Sequence, residues 1–301
     1  MQVFFVMAGY TSLGTKRTIL EQIAIKSKRL LIPYAFYGIV LILLGAMLPS
    51  HTDIGKALLG LLYGRYSVFD PAIENHIPLL QACGYLSPFW FLPCIFFSYV
   101  LLAWYDHSRY PFIVVLLALI MGCLTPFLPI LLPWSIEMAF VGFLLMLCGR
   151  AMREQQLLER SDQPLIKITI TIVCVAIYLM CWYIDGPVNM SLSDMGNGHI
   201  PSVFKVLFFV LLGISEALCF SICFREWKKS WVTRCFSYIG RNAVRLLCIH
   251  LFIGQSVYFV LDTFHLPMAV NFTCALMLLL IIDYIIQKLH SYGKALISNP
   301  S

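Results

Sequence analysis

Charged residues are scarce in this sequence. Lysine, arginine, aspartate and glutamate together make up 12% of its 301 residues, whereas 60% are hydrophobic. A soluble domain carries about 25% charged residues and about 45–50% apolar ones, so a larger soluble core does not explain the difference. The composition excludes an ordinary soluble globular protein.

Sequence fingerprints of several common chemistries are also lacking. The chain has no Walker-type loop, no glycine-rich dinucleotide motif, no serine-centred nucleophile elbow and no HExxH. Most of its eleven cysteines fall within apolar segments, and no histidine or further cysteine joins Cys219 and Cys223 into a zinc set. We interpret the cysteines as small core hydrophobes, and we expect no metal site.

Long apolar runs dominate the chain. A partial run covers residues 1–13, and a run of about 20 apolar residues spans a bilayer as a helix that satisfies its own backbone hydrogen bonds. The predicted fold is therefore an all-α, polytopic membrane helix bundle of about nine transmembrane segments, the first one partial. The two middle segments, around prolines 126, 129 and 133, could equally form one long kinked hairpin, because proline breaks the helical hydrogen-bond ladder. The complete segments are expected at 30–49, 88–105, 111–130, 134–149, 165–184, 202–224, 240–260 and 267–288.

Basic residues alternate from loop to loop and so predict an orientation, because lysine and arginine concentrate in cytoplasmic loops. Alternation leaves only Lys56, Arg65 and Lys205 of the 21 basic residues on the outer side. The C-terminus is then cytoplasmic, with a membrane domain over 1–290 and a short tail over 291–301. Since the loops account for the positive charge, we expect the lipid bilayer and no nucleic acid as a partner.

The same alternation places Met1 on the outer side, at the start of a half-length helix. Neither a basic n-region nor a cleavage site of a signal peptide is present there. We expect at least one further helix upstream of Met1. The alternative is that residues 1–13 form a short re-entrant or interfacial piece.

Five stretches in order, covering residue 1 to about 290, carry a resemblance to a known family. The stretches are 4–10 (FFVMAGY), 26–34 (KSKRLLIPY), 89–93 (FWFLP), 132–149, and 238–242 (YIGRN) with His250 after it. They resemble elements of the membrane-bound acyltransferase-3 family, in particular its fucose-4-O-acetylase-like branch, with Ala8 in place of a usual serine.

The resemblance implies an O-acyltransferase of the bacterial cytoplasmic membrane. Such enzymes move an acyl group, usually acetyl, from cytoplasmic acyl-CoA to a hydroxyl of a cell-surface sugar or glycan. In the family, the 4–10 element lies in the second helix, and the first carries a basic residue and a histidine regarded as essential. Neither has a counterpart in this sequence, so a truncated and inactive copy stays open.

Cations at the cytoplasmic start of the 30–49 segment are candidates for binding acyl-CoA. They are Lys26, Lys28 and Arg29. Arginine can hold a phosphate with two hydrogen bonds, whereas lysine acts as a point charge. Ordinary anchoring of a cytoplasmic helix end is the alternative. With the family element, we predict that these three residues bind the CoA phosphates.

Ionisable groups inside the apolar segments are candidates for catalysis, because their burial in lipid is costly. His250, near the midplane, is predicted to act in a supporting role, since a neutral imidazole can serve as a base. Glu137, near the outer end of its helix, is the second candidate. Pairing between helices is the alternative for such groups, for instance Glu216 with Arg245.

Three residues are candidates for binding the acceptor. Trp90 and Tyr10 are expected toward the outer side, where a sugar ring can stack, although aromatic belts explain many such residues. Asn242 belongs to the last family element. A transporter or flippase for a small or lipid-linked substrate is the alternative function, and the inverted repeats that favour it are not seen.

Overall fold

The structure is a computed structural model, and within the ranges it describes the chain is almost entirely helical. It contains eleven α-helices and three short 3-10 helices, with one isolated bridge between Ser67 and Pro78. The described residues are 2–12, 18–47, 52–65, 67–68, 77–125, 130–158, 164–185, 202–226, 231–262 and 268–298.

The α-helices are α1 (Gln2–Thr11), α2 (Ile19–Met47), α3 (Ile54–Tyr63), α4 (Phe91–His107), α5 (Pro111–Leu124), α6 (Ile136–Glu154), α7 (Pro164–Asp185), α8 (Ser202–Glu226), α9 (Trp231–Arg241), α10 (Ala243–Asp262) and α11 (Met268–Ser298). The 3-10 helices are Leu80–Ala82, Gly84–Trp90 and Pro133–Ser135.

Seven of the described helical segments are long and apolar enough to cross a membrane, which makes the chain a polytopic helical membrane protein. Many large apolar side chains face outward from them, as a lipid surrounding requires. This confirms the all-α membrane fold. The seven are Ile19–Met47, Gly84–His107, Pro133–Glu154, Leu165–Ile184, Phe204–Ile222, Ala243–Leu261 and Met268–Lys288.

Two of the nine predicted segments are short helices. The first is α1, with 10 residues, in agreement with the prediction of a partial segment. The complete span predicted at 111–130 is wrong, because α5 has only 14 residues. The residue before a proline is disfavoured in the α conformation, and Thr125 precedes Pro126.

Two further helices were not predicted. Helix α3 lies in the region read as an outer loop. Its N-cap Asp53 accepts a hydrogen bond from the backbone N–H of Lys56, 3.0 Å away, and this bond holds the pKa of Asp53 below its usual range. Gly64, at φ 69°, ends it, a conformation that glycine adopts without strain. Helix α9 is amphipathic and carries Arg234 and Arg241, so its polarity hid it from a search for apolar runs.

Helix α6 lies at the centre of the N-terminal half, in contact with α1, α4 and α5. Two glycines allow α1 to approach it closely. A Cβ added to Gly9 would lie 1.9 Å from the Met146 carbonyl oxygen, and one added to Gly149 would lie 1.9 Å from the Val6 carbonyl oxygen. Small residues at such crossings let helix backbones pack closely in membranes.

We therefore predict that Gly149→Ala lowers the melting temperature of the protein in detergent. The new methyl group would collide with backbone atoms that cannot turn away, at a cost of about 1–3 kcal/mol. Gly254→Ala is the matched control, because a Cβ at Gly254 meets nothing within 4 Å. Equal melting temperatures for the two variants would show that the α1–α6 contact is looser than described.

Candidate functional site

A buried ion pair joins the loop after α3 to the start of α6. Arg65 Nη2 lies 2.5 Å from Glu137 Oε1, and each side chain is 1% exposed. Arg65 Nη1 donates to Ser135 Oγ at 3.0 Å. The central carbon of the Arg65 guanidinium, Cζ, lies 5.7 Å from the ring centroid of Trp90. Removing one partner of such a pair costs about 3–5 kcal/mol, because the other charge is left buried alone.

Side chains from two other helices hold the end of α3 that delivers Arg65. The last carbonyls of a helix have no partner within it, and here they accept from outside. Tyr34 of α2 donates its hydroxyl to the Leu61 carbonyl at 2.7 Å. The indole N–H of Trp134 donates to the Leu62 carbonyl at 2.8 Å. These bonds fix the end of α3 and therefore the position of Arg65, which follows it.

The backbone just before α6 is strained. Trp134 and Ser135 have φ values of 59° and 53°, a left-handed conformation that costs non-glycine residues about 1–2 kcal/mol each. Ser135 Oγ accepts from Arg65 and itself donates to the Gly64 carbonyl at 3.5 Å. Such strain is concentrated at functional sites, and here it aims Ser135 and Glu137 at Arg65.

A second ion pair, between Arg150 of α6 and Asp106 of α4, lies at the C-terminal end of α6, the end that the distribution of basic residues predicts to be the inner one. Arg150 also donates through Nε to the Ser12 carbonyl at 3.3 Å. Thirteen residues separate Glu137 from Arg150, about 20 Å along a helix that rises 1.5 Å per residue. The two ion pairs are therefore about 20 Å apart along α6.

Trp90 lies beside the Arg65–Glu137 pair, whereas Tyr10 does not. Tyr10 lies at the inner end, where its carbonyl accepts from Arg153 Nη1 at 2.9 Å and its ring centroid is 5.6 Å from that guanidinium. The expected outer position of Tyr10 is therefore wrong. The physical reason is that α1 runs parallel to α6 and ends beside its C-terminal arginines, so Tyr10 and Trp90 form no common sugar site.

The start of α1 is held by a carboxylate of α8. The backbone N–H of Val3 donates to Glu216 Oε2 at 3.1 Å, which satisfies one of the unpaired donors of a helix N-terminus. Phe4 and Phe5 contact the ring of Phe91 at centroid distances of 5.9 and 5.2 Å. The pairing of Glu216 with Arg245, considered from the sequence, is wrong, because each has a different partner.

Arg245 is paired instead with Asp283, which is fully buried. Asp283 Oδ2 also accepts from the Tyr238 hydroxyl at 2.6 Å. Burial, together with that hydrogen bond, raises the pKa of Tyr238 to about 12. The Asn242 amide donates to the Tyr238 carbonyl at 2.9 Å and accepts from Arg245 at 2.8 Å. Asn242 thus links α9 to α10, and acceptor binding by it stays a prediction.

The three predicted CoA-binding cations lie on one continuous helix. The predicted segment began at residue 30, but α2 begins at Ile19, so these cations project from a helix and not from a loop. Lys26 Nζ lies 3.5 Å from the ring centroid of Tyr99, and Arg29 is close enough to repel it. Lys28 and Arg29 are exposed. The repulsion between like charges makes this surface receptive to an anion.

His250 faces an apolar groove between α10 and α11. Its Nδ1 lies 2.7 Å from the Leu247 carbonyl oxygen. Because a carbonyl only accepts, the neutral ring donates from Nδ1 and leaves the lone pair on Nε2. No hydrogen bond joins His250 to Glu137 in the described part of the chain. The groove is lined by Phe4, Ile239, Ala243, Leu246, Leu247, His250, Leu276, Leu279 and Leu280.

Sequence reasoning missed Arg65 and the two inner arginines, Arg150 and Arg153. Arg65 was placed in an outer loop, as one of three exceptions to the charge rule, although an apolar stretch ending in Gly64 precedes it. That stretch is the signal of an inserted helix. The inner arginines were read as loop charges, although they bind the end of α1. Among the described residues no group of three or more metal-ligating side chains is found.

Comparison with protein families gives one match of nearly full length. The acyltransferase domain of the acyltransferase 3 type matches residues 1–287. Comparisons with curated proteins and with solved structures gave no significant match. The match therefore covers nearly the whole membrane bundle, but it does not identify the molecule that accepts the acyl group.

The polar cluster around Asp283 gives a stability prediction. We expect Asp283→Asn to cost about 3 kcal/mol or more, because it leaves Arg245 without a counter-charge in a buried site. Asp53→Asn is the matched control, since Asp53 is exposed and asparagine is an equally good N-cap. Thermal unfolding in detergent measures both. A melting temperature as high for Asp283→Asn as for Asp53→Asn would refute the stabilising role of this cluster.

Proposed function

Because the chain belongs to the acyltransferase 3 family, we propose that it transfers an acetyl group from cytoplasmic acetyl-CoA to a hydroxyl of a cell-surface sugar or glycan. Family membership implies acyl transfer in general. The donor, the acceptor and the location in a bacterial cytoplasmic membrane are parts of the proposal. The observations that support it are the buried ion pair of Arg65 and Glu137 beside the partly buried Trp90 and the cationic surface on α2.

The donor site in this proposal is the inner end of α2. Lys26, Lys28 and Arg29 bind the phosphates of CoA, with Arg29 forming two hydrogen bonds to one phosphate. The exposure of Lys28 and Arg29 supports this role, because a ligand reaches them without displacing protein. Anchoring alone would not require two exposed cations beside the half-buried Lys26.

The chemistry needs a base near the acceptor hydroxyl. The hydroxyl oxygen attacks the thioester carbonyl carbon, the carbon–sulfur bond breaks, and the acetyl ester forms. The hydroxyl proton passes to the base and then to the thiolate of CoA, so that free CoA leaves as a thiol. We assign the base to the Glu137 carboxylate, and a supporting role in proton transfer to Nε2 of His250.

The acceptor approaches from the outer side and stacks on Trp90. Supporting this, Trp90 is only partly buried and lies beside the guanidinium that pairs with Glu137. A sugar stacked on the Trp90 ring would therefore lie next to the Arg65–Glu137 pair. Transport of a lipid-linked substrate is the weaker candidate, since the family match favours acyl transfer.

The CoA role of Arg29 gives a kinetic prediction. Arg29→Ala is expected to raise the KM for acetyl-CoA about 10-fold or more, with a much smaller change in kcat, because it removes binding energy common to ground and transition states. Transfer of radiolabelled acetyl to surface glycan measures both constants. Arg109→Ala is the control, because Arg109 is also exposed at the inner side but lies outside the α2 cluster. Equal KM values for the two variants would refute the assignment.

A supporting role for His250 predicts a different kinetic change. His250→Ala is expected to lower kcat about 10-fold while leaving the KM for acetyl-CoA unchanged, because proton transfer and not binding is affected. Ser256→Ala on the same helix is the control, since the Ser256 hydroxyl donates to the Phe252 carbonyl of its own helix. Wild-type kcat in the His250 variant would reduce this histidine to a packing residue.

A further inference from the structure

Helix α3 is a re-entrant element that descends from the outer end of α2 toward the middle of the membrane. At its upper end, Thr52 Oγ1 lies 3.0 Å from the position of a Cβ on Gly45. At its lower end, the Leu61 carbonyl accepts from Tyr34. Eleven residues of α2 separate these two levels, which corresponds to about 16 Å of descent.

The outward side of α3 is apolar, as insertion into lipid requires. Its most exposed apolar residues are Ile54, Leu58, Leu59 and Leu62. A charged residue at the lower tip would be costly there without a partner. Arg65 follows the tip, and the partner it meets is Glu137.

Two separate measurements place this pair near the middle of the bilayer. Measured from the inner end, Glu137 lies about 20 Å along α6 from Arg150. Measured from the outer end, the tip of α3 lies about 16 Å below Gly45. The first distance is about two thirds and the second about half of a core about 30 Å thick.

Few groups surround the Glu137 carboxylate. From α3 and its following loop it faces Arg65 and the Tyr63 hydroxyl, from α4 the Cys94 thiol, and from its own turn Ser135. Tyr63 is occupied by a 2.7 Å bond to the Leu131 carbonyl. The backbone N–H groups of Glu137 itself and of Leu132 also interact with the carboxylate. Among the groups that face it within the described residues, Arg65 carries the positive charge.

We infer that Arg65 is a positioning residue for Glu137 in the acyl-transfer reaction. This inference rests on the proposed function, in which Glu137 is the base. The guanidinium favours the ionised form of the carboxylate, which burial by itself would disfavour. It also engages one oxygen, Oε1, at 2.5 Å, so that Oε2 is the oxygen that would take the hydroxyl proton. Acyl transfer then takes place near the middle of the membrane.

Three variants separate this role from a purely structural one. Arg65→Gln and Glu137→Gln each leave one buried charge unpaired, and both are expected to melt well below the wild type. The double variant Arg65→Gln/Glu137→Gln removes both charges and is expected to recover most of the melting temperature. Its transfer rate is expected to stay at least 100-fold below that of the wild type, because the base is gone.

The double variant gives the outcome that would overturn the inference. If it recovers stability and also transfers acetyl at the wild-type rate, the pair is structural and Arg65 positions nothing. Should it fail to fold, Arg65→Lys decides instead. Lysine keeps the charge but cannot reach both Ser135 and Glu137, so folding is expected to persist while kcat falls about 10-fold or more. An unchanged kcat would contradict the inference.

A pH profile supplies a readout that a structural role would not change. Without the arginine the carboxylate holds its proton more tightly, so it acts as a base only at higher pH. In Arg65→Lys the positive charge is placed less well beside the carboxylate. The acid limb of the pH profile of kcat for this variant is therefore expected to shift upward by about one pH unit. An unshifted limb refutes the positioning role. If the wild type transfers no acetyl at any pH, the proposed function fails and not this inference alone.

Discussion

The cost of leaving a charge or a backbone polar group unpaired in hydrocarbon governs the arrangement of this bundle. The buried pair of Arg65 and Glu137 shows the constraint most clearly. A re-entrant helix can carry an arginine into the membrane only where another helix offers a carboxylate. The strained turn at Trp134 and Ser135 provides that carboxylate at the right depth, and the ends of α3 and α6 are thereby locked together.

The same constraint explains the contacts at both ends of α1 as the structure describes it. A backbone polar group that lies in hydrocarbon needs a partner inside the protein. Glu216 satisfies a donor at its start, and Arg150 and Arg153 satisfy acceptors at its end. Glycine contacts let α1 lie against α6 between these ends. The resulting frame joins the cationic inner end of the protein to its deep ion pair.

Composition and apolar runs were sufficient to predict a polytopic helical bundle, because lipid imposes both on any chain that crosses it. They were not sufficient for α3, since a short apolar helix ending in Gly64 and Arg65 resembles a loop in a search for full spans. The sequence marked Glu137 as unusual but could not name its partner, which comes from 72 residues earlier in the chain. Tyr10 was assigned to the wrong end, because residue type alone does not distinguish an aromatic belt from a contact with Arg153. Three-dimensional neighbours of this kind follow from packing and not from local pattern.

The central claim of this account is that an acyl group enters from the inner end and reaches a sugar acceptor from the opposite side. Inside-out membrane vesicles containing the protein and enclosing surface glycan test it directly. Radiolabelled acetyl-CoA supplied outside such vesicles, at the cytoplasmic face, is expected to label the enclosed glycan. Labelling only when acetyl-CoA is enclosed with the glycan, or no labelling at all, would contradict the claim.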